Sequence, residues 1–420
     1  MIYYLYMVET YHIKMSKQIY DPVHGFITVT PLMRKIIDTP EFQRLRDLKQ
    51  LGAVHYVYPS ATHTRFEHSL GVSHLAKIMA TNLVNQITPI NTPSEVSDIK
   101  KDRIIELCCI AGLIHDIGHG PYSHLYDTQV RSHDEPEHEE RGCEIFKKMV
   151  EKYNFKLNKN EVKLIINMII PPVTKKKCWL YQIIANKECQ IDVDKIDYIQ
   201  RDCYHTGLKF GGEWTRLLTQ ALIRSSVTQC NLTDNIDQII WPKKLEYEIF
   251  QLFATRYRLH KQVYNHHTVK AYEYYIVQIL RQAKYQKTRF LDMTDSLVTC
   301  RLHDEWREVQ DRIAKRQIPK LVGETTISIE EHETKASDYT FPRTIVNLII
   351  DHIKIGFASG DVNPLDKVIL VDKHSELVKI NKSDSICVPT NHREVVVRWY
   401  NSAPSLHAEA VQEFKNKYKQ

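Results

Sequence analysis

The stretch AGLIHDIGHGPYSH, Ala111 to His124, sets His115, Asp116, His119 and His124 within ten residues at the end of an apolar run. An imidazole and a carboxylate side by side at a buried helix end are costly unless they are paired or bound to a metal. A His–Asp hydrogen bond capping the helix would account for His115 and Asp116, but not for three further elements. In THTRFEHSLGV, His68 begins a helix with Arg65 one turn before it. IDVDKIDYIQRDCYH puts Asp194, Tyr198 and Arg201 on one helical face, with Asp202 close by, and EHEERG supplies His138. Two histidines and two carboxylates on three helices form a mixed nitrogen and oxygen set. Such a set suits Mn, Fe, Zn or Mg better than a thiolate-type site does. The other His-Asp dipeptides, at 133–134 and 303–304, lie in charged surroundings and read as solvated.

These residues need helices to carry them, and the apolar spacing supplies helices. RIIELCCIAGLIH sets Ile104, Leu107, Cys108 and Ala111 on one buried stripe, and HSLGVSHLAKIMATNL does the same with Val72, Leu75 and Met79. Gly118 and Gly120 follow directly and read as releasing the backbone. The texture changes from about Lys320. KLVGETTISI, HIKIGF, DKVILVDK, ELVKIN and REVVVRW are short β-branched runs split by polar turns, and PSLHAEAVQEFKNKYK closes the chain as a helix. The expected fold is mainly α, a helical core at 17–282 with a smaller α+β region at 283–420. Residues 1–16 read as a poorly ordered, non-targeting leader, with Met7 and Met15 as alternative starts.

The bulk numbers narrow the class. With 420 residues, 43% of them hydrophobic, the chain can bury a large interior, and its 13 glycines are few for a turn-rich sheet protein. A net charge of +6 permits an anionic ligand without implying non-specific DNA binding. Nine cysteines with no CxxC pair argue against a zinc ribbon and for free thiols in a reducing, intracellular setting. No segment is apolar for long enough to span a bilayer, so no membrane partner is expected.

In series, these segments resemble the HD phosphohydrolase superfamily, whose metal is held by the pattern H…HD…D. That pattern falls on His68, His115–Asp116 and Asp194. The resemblance is closer still to the catalytic region of the SAM-and-HD-domain deoxynucleoside triphosphate triphosphohydrolases. DPVHGFITVTPLMRKIIDTPEFQRLRDLKQLG, TRFEHSLGV, GLIHDIGHGPYSH, IDVDKIDYIQRDCYHTG and KLVGET match that family's motifs in order, from about Lys17 to beyond Glu324. The SAM domain is expected to be absent, since only the short leader precedes the match.

The resemblance implies hydrolysis of a dNTP to deoxynucleoside and inorganic triphosphate. A metal would polarise the α-phosphate and lower the pKa of a water, while Arg65, Lys195 and Arg256 hold the phosphates. His124 would act as general acid, oriented by Asp127, and His119 and His138 would support the phosphates or a second metal. Gln50 and Leu51 match the family's sugar-selecting pair, Tyr264 its tyrosine near C2′, and Tyr198 and Asp202 complete the substrate set. Asn265 stands where the family has Gln, which puts a shorter amide at the 3′-hydroxyl.

A regulatory pocket is implied as well. Asp38, Gln43 and Arg46 match residues that read guanine in GTP or dGTP, with Lys17 beside the phosphates. Arg316 and Lys320 match basic residues that reach the pocket from another subunit of a homo-oligomer, dimer to tetramer. A second effector position for a dNTP keeps Arg216 and Lys244, but has Pro242 for Arg and His267 for Lys. Two other readings stand beside this one. Another HD-type nucleotidase or phosphodiesterase would keep the metal set but has no special use for Gln50, Leu51 and Tyr264. A non-catalytic protein binding nucleotide or, weakly, single-stranded nucleic acid could use the basic run TKKKC at 174–178, but has no need of the complete His and Asp set.

Overall fold

The computed structural model describes residues 16–89, 91–173, 178–210, 212–224, 238–301, 304–334, 347–358, 360–381 and 391–418. The leader up to residue 15 and the lysines of TKKKC lie outside the described residues. The longer helices are α1 (Pro31–Ile37), α2 (Arg65–Val84), α3 (Lys101–Ile114), α4 (His138–Tyr153), α5 (Lys159–Ile169), α6 (Val193–Thr206), α7 (Glu246–Leu259), α8 (His267–Tyr285), α9 (Arg307–Ala314) and α10 (His407–Tyr418). The protein is mainly α, with its strands gathered chiefly towards the C-terminus.

Thr64 and Glu67 close the first turn of α2 as a capping box, so the helix starts at Arg65. Buried on most of its surface, α2 is the central element, and the stripe Val72, Leu75, Met79 is only part of what it buries. Helix α3 crosses it where both carry small residues. A Cβ on Gly112 would lie 3.1 Å from Ser73 Cα, and Ser73 Oγ donates to the Cys109 carbonyl at 2.8 Å. Ile104, Leu107, Cys108 and Ala111 are all buried, as their spacing predicts. Helix α6 packs on α2 from another side. Asp192 caps it by accepting from Lys195 N at 2.9 Å, and Gly207, at φ 72°, ends it in a left-handed conformation.

Strands β1 (Lys17–Asp21) and β2 (Gly25–Val29) form a hairpin that the helical reading of this region does not anticipate. In a second sheet, β3 (Leu222–Arg224) pairs with β4 (Gln238–Pro242). Strand β4 also runs parallel to β7 (Ile369–Val371), which pairs with β8 (Leu377–Lys379). The third sheet has the antiparallel order β5 (Lys320–Ile327), β9 (Arg393–Asn401), β6 (Leu348–Gly356). All five C-terminal runs singled out by β-branching are strands, and the final helix is α10. The main core does not stop at 282. Met293, Val298, Trp306, Phe357, Leu365 and Leu370 belong to the same apolar cluster as α2 and α3. A separate small core joins the third sheet to α10, where Phe414 fills the space left by Gly323, 2.4 Å from where a Cβ would sit.

Gly118 and Gly120 do more than release the chain, since neither has a positive φ. A Cβ on Gly118 would lie 2.1 Å from the His138 carbonyl oxygen and 2.4 Å from Gly142 N, so its absence lets the loop after α3 press against the backbone of α4. The obstacle is backbone and cannot swing aside. Gly118→Ala is expected to cost about 1–3 kcal/mol by overpacking, read as a lowered midpoint in thermal denaturation. No helix among the described residues is long and apolar enough to cross a membrane, and the seven described cysteines are free.

Candidate active site and metal centre

Helix α3 ends at His115, whose Nδ1 lies 2.8 Å from the Gly112 carbonyl oxygen. That contact fixes the proton on Nδ1 and leaves the Nε2 lone pair free. His68, in the first turn of α2, is held the same way by a carboxylate, its Nδ1 lying 2.7 Å from Asp197 Oδ2. Both Nε2 atoms point to one place. His68 Nε2 is 3.0 Å from Asp194 Oδ1 and 3.4 Å from Asp116 Oδ2, and His115 Nε2 is 3.4 Å from Asp194 Oδ1 and from Asp116 Oδ1. Donors about 2.1 Å from a common ion in octahedral or tetrahedral array are separated by roughly 3.0–3.4 Å. His68, His115 and Asp194 therefore fit a divalent metal in spacing as well as type, and Asp116 borders them, 3.4 Å from each imidazole. His115 Nε2 is, moreover, buried with no hydrogen-bond partner. Burial opposes a charge on His68, but the hydrogen bonds to Asp194 and Asp197 outweigh it and push the imidazole up to about 10. Burial likewise opposes charge on Asp116 and Asp194. Arg65 holds the first well below the usual carboxylate range, and the imidazoles of His115 and His68 beside the second hold it down. A concentration of anionic oxygen that gathers positive charge this strongly suits a cation.

Beside this centre stands a second histidine group. His119 and His138 stack with ring centroids 3.9 Å apart, and His124 meets His119 edge-on at 5.0 Å. His119 Nε2 lies 3.2 Å from Asp116 Oδ1. Asp127 does not orient His124. It faces His138 Nδ1 at 2.8 Å and Arg141 at 2.7 Å, and Arg141 in turn donates to the Gly118 carbonyl at 2.8 Å. The Asp127 carboxylate is taken instead by α4, whose N-terminus the Gly118 contact draws in. His124 is open to solvent within the cavity yet sits deep among protein atoms. Desolvation, then Arg65 and His138, bring its imidazole down to about 3, so it is neutral at pH 7.

The metal candidates and the three histidines His119, His124 and His138 line a cavity of about 570 Å³, a suitable size for a nucleotide. Arg65 donates through Nε to Ser123 Oγ at 2.9 Å and through Nη1 to Asp116, while its buried Nη2 has no partner. Lys195 reaches Asp192 at only 3.6 Å. Arg256 donates to Tyr198 Oη at 3.1 Å and to the Gly356 carbonyl at 2.7 Å, so the end of β6 holds a cavity cation. Gln50, Leu51, Tyr264 and Asn265 line the same space. Tyr264 donates to Asp202 at 2.5 Å, and Asp202 faces His63 Nε2 at 2.8 Å. The Asn265 amide folds back onto the His260 carbonyl at 3.0 Å. Two single π-helical turns, Tyr126–Val130 and His260–Tyr264, border the cavity and place Thr128, His260 and Tyr264 on its wall.

Arg201 is the exception on α6. It points away from the cavity, fully buried between Asp197 and Asp21 at 2.9 and 2.7 Å. Residues 194, 198 and 202 form the cavity face, and 197 with 201 form the face towards α2, where Gly71 leaves room. A Cβ there would sit 1.9 Å from Asp197 Oδ1. Asp197, His63, His260 and Lys270 escape the sequence reading. For Asp197 the signal was present, an aspartate one turn after Asp194 and one turn before an arginine. Because Asp197 fixes the His68 tautomer, Asp197→Asn is expected to weaken metal binding about 10–100-fold, measured by competition with a chelator of known affinity.

The candidate effector residues lie outside the cavity lining. The Gln43 amide donates to the Ile37 carbonyl at 2.7 Å, next to Asp38, and Arg46 donates to Gln43 Oε1 at 2.8 Å with its guanidinium 3.5 Å over the Phe66 ring. Asp38, Arg46 and Lys17 are exposed. Arg216 pairs with Glu248, and Lys244 and Lys320 are exposed. Arg316 lies against its own chain, donating to the Tyr56 carbonyl at 3.3 Å.

The HD domain family matches residues 65–202, the span that carries all four metal candidates. Over 452 residues the chain is 31% identical to the deoxynucleoside triphosphate triphosphohydrolase SAMHD1 of Gallus gallus, covering 90% of this chain and 71% of that protein. The chain belongs to the SAMHD1 family. The Dictyostelium discoideum SAMHD1 homolog is 28% identical over 416 residues, 92% of this chain and 77% of its own. A putative HD domain-containing protein of Acanthamoeba polyphaga mimivirus is 40% identical over 261 residues, 60% of this chain and 54% of its own. SAMHD1 similarity thus extends well past the HD segment into the C-terminal sheets.

Proposed function

We propose that this protein hydrolyses dNTPs to deoxynucleoside and inorganic triphosphate in the cavity between α2, α3 and α6. One observation carries the reading. His68, His115 and Asp194, spaced for a divalent metal, Mn, Fe, Zn or Mg, open with Asp116 onto the same cavity as an unpartnered Arg65 nitrogen and two further cations. His68, His115, Asp116 and Asp194 would hold the ion, which supplies Lewis-acid polarisation of a phosphate when bound. Arg65, Lys195 and Arg256 neutralise the triphosphate, with Tyr198 steadying Arg256. His124 protonates the departing 5′-oxygen. Neutral in the empty cavity, it gains its proton as the anionic phosphates arrive and favour the charged imidazole. His119 and His138 support the phosphates or a second metal, with Asp127 setting the His138 ring. At the sugar, Gln50, Leu51, Tyr264, Asp202 and Asn265 form the wall.

The same reading places GTP or dGTP at Asp38, Gln43, Arg46 and Lys17, with Arg316 and Lys320 reaching in from a second subunit, and a dNTP at Arg216 and Lys244. It sets the enzyme in an intracellular compartment as a homo-oligomer, dimer to tetramer. At the second effector position Pro242 has no N–H to offer a phosphate, so higher dNTP concentrations are expected for full assembly.

Leu51 closes the space beside C2′. Leu51→Gly is expected to raise ribonucleotide cleavage relative to dNTP by about 10–100-fold, read from kcat/KM for GTP and dGTP. The function itself is tested by turnover of dGTP in Mn and in Mg, with and without GTP, separating the products. Triphosphate supports it; pyrophosphate or monophosphate would assign the site to another HD-type nucleotidase.

A further inference from the structure

Asp295 stands at the start of a short helical turn, Ser296–Thr299, where an aspartate would ordinarily accept from the helix's own first N–H groups. It does not, and no side-chain cap forms there. Its carboxylate, 3% exposed, is spent on two distant backbone donors instead. Oδ2 accepts from Lys49 N at 2.9 Å and Oδ1 from Tyr122 N at 2.7 Å. Each donor lies one or two residues before a cavity side chain, Lys49 before Gln50 and Leu51, Tyr122 before His124.

The turn so held is strained. Tyr122 and Ser123 have φ of 57° and 59°, two successive non-glycine residues in the left-handed region, which persists only where surrounding structure imposes it. The surrounding contacts form a closed ring. Ser123 Oγ donates to the Lys49 carbonyl at 2.8 Å and accepts from Arg65 Nε at 2.9 Å, and Asp295 joins the amides on the other side. A Cβ on Gly52, itself at φ 51°, would lie 3.2 Å from the Tyr122 carbonyl oxygen, so loop and turn are in direct contact.

We propose that Asp295 is a positioning residue, a clamp that locks the 49–51 loop to the left-handed turn at 122–123 and so sets the sugar wall, Arg65 and His124 in one register. The inference rests on the hydrolytic reading above, because it assigns the clamped residues their roles. Asparagine has the same shape, but its amide can accept from only one of the two backbone donors and turns an N–H₂ towards the other.

The test compares wild type with Asp295→Asn and Asp295→Ala. Metal content and thermal midpoint identify folded, loaded protein. Amide hydrogen exchange of the segments containing Lys49 and Tyr122 reads the clamp directly, and kcat and KM for dGTP read its consequence. Expected are faster exchange confined to those two segments, retained metal, and a kcat lowered about 10–100-fold with KM changed much less. Unchanged exchange in both segments, or a kcat per metal-loaded molecule within about twofold of wild type, would overturn the proposal. If the alanine variant does not fold, the near-isosteric asparagine variant decides. If wild type releases no triphosphate, the functional reading has failed, and the exchange measurement still judges the clamp.

Discussion

Replacing His115 or Asp116 by alanine is expected to bring dGTP hydrolysis to background, a loss on the order of 10³-fold or more, and to strip bound metal while the helical fold persists. The size follows from the several kcal/mol that a bound metal contributes to stabilising charge in phosphoryl transfer. Folding should survive because neither side chain contributes to the apolar core. Asp116→Ala also frees Arg65, whose Nη1 it holds. That variant should therefore bind dGTP more weakly than His115→Ala does, read by equilibrium titration, besides its loss of turnover. Metal analysis by mass spectrometry, with circular dichroism for the fold, checks both variants. Full metal occupancy in either would sink the coordination set.

The second large effect concerns regulation. The Gln43 amide is held by the Ile37 carbonyl and itself holds Arg46, so Asp38, Gln43 and Arg46 share one surface. Asp38 can accept from the guanine edge, which adenine cannot match. Between Gln43 and Leu45, Arg44 donates to the carbonyls of His119 and Met293, each at 2.8 Å. The surface is thus tied by one buried guanidinium to the loop that carries His119. GTP should raise dNTP turnover by about 5–150-fold, the usual range of a coupling free energy, and raise oligomer mass with it. Only a ligand that binds the assembled state better can drive assembly. Asp38→Ala should abolish both responses and keep its metal. Turnover and mass measured across one GTP titration, in wild type and variant, check this. A fully active protein of constant mass would remove the regulatory role.

The candidate metal residues were legible as a group because each sits at a helix end or first turn with local cues around it. Thr64 and Glu67 mark the start of α2, the apolar stripe of α3 runs out at His115, and Asp192 caps α6. The C-terminal strands were readable because β-branched runs alternate with polar turns. Contacts decided by packing between distant segments were not. The tie of Asp127 to His138 and Arg141 depends on how closely α4 approaches the loop at Gly118. Arg201 faces Asp197 and Asp21 because α2 and the β1–β2 hairpin lie there, and helical spacing alone cannot distinguish that face from the cavity. The boundary at 282 was drawn where the helical spacing ends, whereas the parallel pairing of β4 with β7 and the burial of Met293 and Trp306 carry one core across it.

The central claim is attack of water on the α-phosphate of a dNTP with loss of the 5′-oxygen. Hydrolysis of dGTP by the metal-loaded protein in water enriched in the heavy oxygen isotope tests it most directly, with both products analysed by mass spectrometry. The account predicts deoxyguanosine carrying no label and inorganic triphosphate carrying one heavy oxygen. Label in the 5′-hydroxyl, or release of labelled monophosphate or pyrophosphate in place of triphosphate, would contradict it.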